Sequence, residues 1–117
     1  MATYLKKLLS GSTNGKQIKV VGTVAGSATT IHTAVSGTSS LDEIWLYAFN
    51  SSSSAVVLTV CFGGTTAPDN NIVLTVPAQA GRTLVCDGML LQNSLVVSAF
   101  AASSNVIIID GFVNAIS

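Results

Sequence analysis

The residues able to do chemistry are few and far apart. His32 is the only histidine and sits in Thr30-Ile31-His32-Thr33-Ala34. General-base or nucleophilic catalysis needs a nucleophile or carboxylate within hydrogen-bond reach of the imidazole. No neighbour in sequence supplies one, so His32 reads as an ordinary strand histidine. Asp42-Glu43 is a carboxylate pair by sequence alone, because adjacent strand residues point to opposite faces. It reads as a turn acid followed by a solvated or interface charge. Cys61 and Cys86 lie 25 positions apart, without the C-x-x-C or H-x-x-x-H spacing that a metal site uses. They read as two buried thiols in strands, with a disulfide as the open alternative. Gly63-Gly64-Thr65-Thr66 shares only its glycines with a phosphate-cradling loop, and neither a lysine nor a helix start follows it. No catalytic, cofactor-binding or metal-ligating set is expected.

Composition narrows the classes further. Hydrophobic residues make up 49% of the 117 residues and charged residues 9%, with five basic side chains balancing five acidic ones. A balanced chain lacks the basic patch that neutralises phosphates, so nucleic acid is not an expected partner. Zero net charge favours association, and this surface suits a subunit in contact with other subunits. No segment approaches the roughly 18–20 continuous apolar residues of a membrane-crossing helix. The start of the chain has a basic pair, Lys6-Lys7, but no long apolar stretch, and does not read as a signal peptide.

The elements that must position these residues are mostly strands. Residues 1–15 read as an N-terminal arm, extended or briefly helical. Tyr4 and Leu8, and Leu5 and Leu9, have helical spacing, but so short a segment orders only against something else. The linker Ser10-Gly11-Ser12-Thr13-Asn14-Gly15 follows. Residues 16–117 read as one β domain, with strands expected at 16–25, 29–35, 42–50, 55–62, 71–76, 82–86, 94–101 and 105–114. Ser36–Ser40, Asn50–Ser54 and the loop 63–70 separate them with small polar residues that bond their own backbone. Asp110-Gly111 marks a bulge or bend inside the last run. About eight short strands without helices predict an all-β, antiparallel sandwich or barrel, jelly-roll-like.

The run Glu43-Ile44-Trp45-Leu46-Tyr47-Ala48-Phe49 is apolar on both faces. Ile44, Leu46 and Ala48 are assigned to the core. Trp45, Tyr47 and Phe49 are assigned to a subunit interface, where aromatic residues dominate the energetics. The alternative is that the chain's own loops or arm cap that second face. On the arm, Tyr4, Leu5, Lys6, Lys7, Leu8 and Leu9 are assigned to docking on a partner, apolar side chains filling grooves and lysines meeting an acidic surface.

Three stretches carry a likeness to known proteins: Ser10-Gly11-Ser12-Thr13-Asn14-Gly15-Lys16-Gln17-Ile18-Lys19-Val20, Thr29–Ala34, and Gly63-Gly64-Thr65-Thr66-Ala67-Pro68-Asp69-Asn70. The chain resembles the small capsid cement (decoration) proteins of tailed bacteriophages. The resemblance implies a non-enzymatic virion protein, β-rich and a homotrimer. Such a protein binds the outer capsid surface between major capsid protein subunits and needs no cofactor. A tail or head–tail junction protein, and a carbohydrate- or receptor-binding β-module stacking Trp45 or Tyr47 on a sugar, are the other expectations. A cupin-like enzyme would need the histidine cluster that the sequence lacks.

Overall fold

The computed structural model describes residues 2–117. Nine strands form: β1 (Tyr4–Lys7), β2 (Ile18–Lys19), β3 (Thr29–Thr33), β4 (Leu41–Asn50), β5 (Val56–Phe62), β6 (Asn71–Val76), β7 (Thr83–Leu91), β8 (Val96–Ala101) and β9 (Ile107–Ile116). The only helical element among the described residues is a 3-10 turn at Ala25–Ser27. A five-stranded sheet runs β1-β9-β4-β7, with β2 also on β9; a four-stranded sheet runs β3-β8-β5-β6. All the strand pairs are antiparallel.

The connectivity has a simple origin. The pairs β2–β9, β3–β8, β4–β7 and β5–β6 are successive rungs of one long antiparallel hairpin. Folding that hairpin over itself brings β4 beside β9 and β5 beside β8. The rungs then alternate between two sheets, which is the eight-strand jelly-roll arrangement. The expected class therefore holds, as a two-sheet sandwich.

Alternation drives the packing. Strand β4 alternates half-buried and buried residues along its whole length. Its inward residues Ile44, Leu46 and Ala48 are fully buried, opposite Val113, Gly111 and Ile109 of β9. The other wall of the core is Val56, Leu58 and Val60 of β5, Val97 and Ala99 of β8, and Ile31 of β3. Gly111 is required where β9 meets β4. Its φ is 151°, and an added Cβ would collide with the Trp45 carbonyl. The β4–β9 register continues unbroken through this point, so Asp110-Gly111 marks a close backbone approach and no bulge forms against β4. Asn50 ends β4 and organises the expected turn. Its Nδ2 donates to the Ser54 and Val76 carbonyls at 2.8 and 3.0 Å, and its Oδ1 accepts from Ser52.

Two strand expectations change. The run 16–25 shrinks to Ile18–Lys19, after which the chain turns through Ala25–Ser27. The run 82–86 extends to Leu91. Asp87-Gly88 looks like a turn pair, but here it lies within β7, whose pairing with β4 shifts register twice, and Gly88 takes φ 85°. The N-terminal segment takes the extended of its two expected forms, and it is ordered against the chain's own β9. Tyr4–Lys7 pairs with Ile116–Val113 of β9, and Leu9 is 2% exposed in the core. The edge of β9 offers hydrogen bonds that so short a helix could not supply for itself.

Candidate functional site

Two groups of residues stand out, one inside the sandwich and one on its outer face. The first brings together Ser10, His32 and Asp42. The imidazole Nε2 donates to Asp42 Oδ2 at 2.8 Å, and Nδ1 accepts the backbone N–H of Ser10 at 3.0 Å. That pairing places the imidazole proton on Nε2, because Nδ1 is already an acceptor. Asp42 Oδ2 also accepts the Val35 N–H at 3.1 Å. Both side chains are only 6% exposed. The three residue types match a nucleophile–base–acid set, but the geometry does not. The Ser10 hydroxyl accepts from the Thr33 N–H at 2.7 Å, while the imidazole holds the Ser10 backbone. A nucleophile would need its Oγ on the ring nitrogen. The arrangement is a clasp. It ties the N-terminal segment to β3 and β4, with the Gly11 N–H donating to the Ile31 carbonyl beside it. Asp42 is thus a buried partner of His32, which corrects its reading as a turn acid. Burial follows from its inward position on β4, whereas Glu43 faces outward.

The second group covers the outer face of the five-stranded sheet. Cross-strand register sets Trp45 opposite Phe112, Tyr47 opposite Asp110, Phe49 opposite Ile108 and Glu43 opposite Asn114. The Trp45 and Phe112 rings lie 6.1 Å apart with planes 12° from parallel. Glu43 Oε1 accepts from Trp45 Nε1 and from Asn114 Nδ2, each at 2.9 Å. Those two bonds, that from Asn114 the larger influence, hold the Glu43 carboxyl below its usual range. Arg82 grips Asp110 through Nε and Nη2, at 2.9 and 2.6 Å, and lies 4.1 Å over the Tyr47 ring. Lys6 sits 4.7 Å over Phe112, and Gln17 donates to Asp110 at 3.0 Å.

The expected residues therefore separate. Trp45, Tyr47 and Phe49 share one half-buried face, partly clothed by the chain's own Lys6 and Arg82. Tyr4 and Lys6 pair with Ile116 and Asn114 and so join the same face, with Tyr4 71% exposed. Leu5 and Lys7 turn to the other side of β1 and line a cleft of about 190 Å³ with Leu41, Asp42 and Ile116. Leu8 is exposed, whereas Leu9 is sealed in the core and is removed from any docking set. Sequence reading missed Phe112, Arg82, Asp110 and Asn114. Phe112, Asp110 and Asn114 reach the aromatic face through register with the distant strand β4, and Arg82 through Asp110, 28 positions away, and no local pattern carries that.

The remaining chemical groups are quiet. Cys61 and Cys86 are both free and buried, in different sheets. Burial, with Asp87 adding to it, pushes the Cys86 thiol up to about 12. No group of three or more His, Cys, Asp or Glu side chains that could hold a metal ion occurs among the described residues. No described helix is long and apolar enough to cross a membrane. No known protein family, characterised protein or solved structure matches this chain.

Proposed function

We propose that this chain is a virion structural protein, a capsid cement protein. It binds the outer capsid surface between major capsid protein subunits as a homotrimer. The observation that carries the proposal is the outer face of the five-stranded sheet. Trp45, Tyr47, Phe49 and Phe112 form an aromatic surface that is half-buried in the isolated chain. Glu43, itself bonded by Asn114, holds the Trp45 indole, Arg82 lies over Tyr47 and Lys6 over Phe112. Aromatic and arginine side chains supply most interface hot spots, and side chains already ordered lose less entropy on binding. A sandwich with so little charge is suited to permanent contact with neighbours. The capsid itself enters through the resemblance of the three loop stretches to phage cement proteins.

The mechanism is thermodynamic. A protein that binds the assembled shell and not its separated subunits stabilises the shell by mass action. Many copies acting together give a stiff shell from modest single contacts. This moves Trp45, Tyr47 and Phe49 from the subunit interface expected for them to capsid docking: Tyr4 and Lys6 lie on the same face, so all five form one continuous capsid-contact surface, with Leu5, Lys7 and Leu8 flanking it. The test is cosedimentation of the purified protein with undecorated phage shells. The proposal expects saturable binding that falls at least about tenfold in Trp45→Ala. Absence of binding to every shell tested, with the protein folded, would overturn it.

One feature favours a second reading, a carbohydrate-binding module on the same face. Trp45 and Phe112 are nearly parallel beside the amide of Asn114 and the carboxylate of Glu43. Against it, Arg82 and Lys6 already occupy the faces of Tyr47 and Phe112. Glycan binding without shell binding would move the assignment to this reading.

A further inference from the structure

A sheet edge exposes unpaired backbone donors and acceptors, and folded proteins protect such edges with charge, bulges, shortness or a covering segment. Three of the four outer edges here are protected. Strand β1 is four residues long and carries Lys6 and Lys7. Strand β7 shifts register twice against β4 and presents Asp87. Strand β3 has a register shift between Thr30 and His32, and segment 10–11 covers it: the Ile31 carbonyl accepts from the Gly11 N–H, and the Thr33 N–H donates to Ser10 Oγ.

Strand β6 has no such device. Asn71-Ile72-Val73-Leu74-Thr75-Val76 contains no charge and no proline, and its register with β5 is unbroken from end to end. The Phe62 N–H donates to the Asn70 carbonyl. With the antiparallel alternation, this sends the backbone groups of residues 72, 74 and 76 to β5 and those of 73 and 75 outward. Among the described residues, no loop or side chain takes the N–H or carbonyl of Val73 or Thr75. The Val73 side chain is 61% exposed. Ile72 and Leu74 point inward yet remain half-exposed, because no strand lies beyond them.

We infer that β6 is a self-pairing edge that takes the β6 of a second copy of this chain, antiparallel about a twofold axis. The strand is uncharged, so two copies meet without repulsion, and the chain's zero net charge gives no long-range barrier. The register that uses only free groups centres on Leu74. It pairs Val73 with Thr75 of the second copy twice over and forms four backbone hydrogen bonds. Leu74 of each copy then meets its equivalent on the core side, and the two four-stranded sheets become one continuous sheet. This contact is separate from the aromatic face and does not depend on the proposed capsid role; in a shell it would link neighbouring assemblies.

The test is sedimentation equilibrium of the full chain with amide hydrogen exchange over a two-decade concentration range. Wild type is expected to self-associate, with the Val73 and Thr75 amides slowing as concentration rises. Val73→Pro removes one outward donor without touching a bond to β5. Val73→Lys keeps the backbone and installs the edge charge that β1 already has. Each is expected to weaken this contact at least about tenfold, with the circular dichroism spectrum unchanged for Val73→Lys. Association unaffected by Val73→Lys, or Val73 and Thr75 amides that exchange equally at all concentrations, would overturn the inference. Loss of this contact in Val73→Lys with shell binding retained would separate it from the cement proposal.

Discussion

The two sheets share one core and differ on the outside. Strands β3, β5, β6 and β8 carry no Lys, Arg, Asp or Glu. The other sheet holds Lys6, Lys7, Lys19, Asp42, Glu43, Asp87 and Asp110 within its strands. Its outer face is large, aromatic and cross-linked by hydrogen bonds. The four-stranded sheet shows small, hydroxylated or aliphatic residues such as Val57, Val73 and Thr75. The same inner packing thus supports one aromatic, hydrogen-bonded surface and one whose backbone edge is its most available feature. Fold stability comes from what the sheets share, and the two proposed contacts rest on what they do not.

Inner positions should behave alike. Leu46→Ala and Leu58→Ala, one from each sheet and both fully buried, should each cost about 2–5 kcal/mol in urea unfolding. A cost confined to one sheet would break the picture of a shared core. Next comes the clasp between the sheets. His32→Ala strands the Asp42 carboxylate and the Ser10 N–H, an expected loss of about 2–3 kcal/mol. Amide exchange at Ser10, Gly11 and Thr33 should accelerate with it. Unchanged protection there would show that the N-terminal segment is held by other means.

The outer faces should then diverge. A double-mutant cycle between Trp45→Ala and Phe112→Ala should give a coupling of about 1 kcal/mol. Val57→Thr on the four-stranded sheet should stay within about 0.5 kcal/mol. Arg82→Ala should cost less than about 1 kcal/mol, because Arg82 is 54% exposed and such pairs are screened by solvent and salt. The last effect is confined to alkaline pH. The Cys86 thiol is raised to about 12 in the folded chain, so the unfolded state releases its proton first. Stability from this group is complete below the ordinary thiol range and is lost as pH rises from about 9 toward 12. Both thiols should resist alkylation at neutral pH until the chain unfolds.

Much of this was legible from local pattern. Alternation in Glu43–Phe49 assigned Ile44, Leu46 and Ala48 to the core, and turn chemistry at Asn50–Ser54 placed the end of β4. The strand runs 29–35, 55–62 and 71–76 match β3, β5 and β6 closely for the same reason. What escaped depends on register between distant strands. His32 looked solitary because Asp42 reaches it from the start of another strand and Ser10 through its backbone. Trp45 and Tyr47 looked uncovered because Phe112 and Asp110 arrive beside them from β9 and Arg82 from the approach to β7. Leu9 looked like a docking residue because helical spacing grouped it with Leu5, whereas pairing of Tyr4–Lys7 on β9 carries it into the core.

Trp45 is the only tryptophan in the chain, so its fluorescence reports on the aromatic face alone. The decisive measurement is acrylamide quenching of Trp45 in the free protein and in the same protein bound to undecorated shells. Capsid docking through the aromatic face requires quenching to drop on binding, since this half-exposed ring becomes covered. Binding with unchanged quenching would place the contact elsewhere and contradict the account.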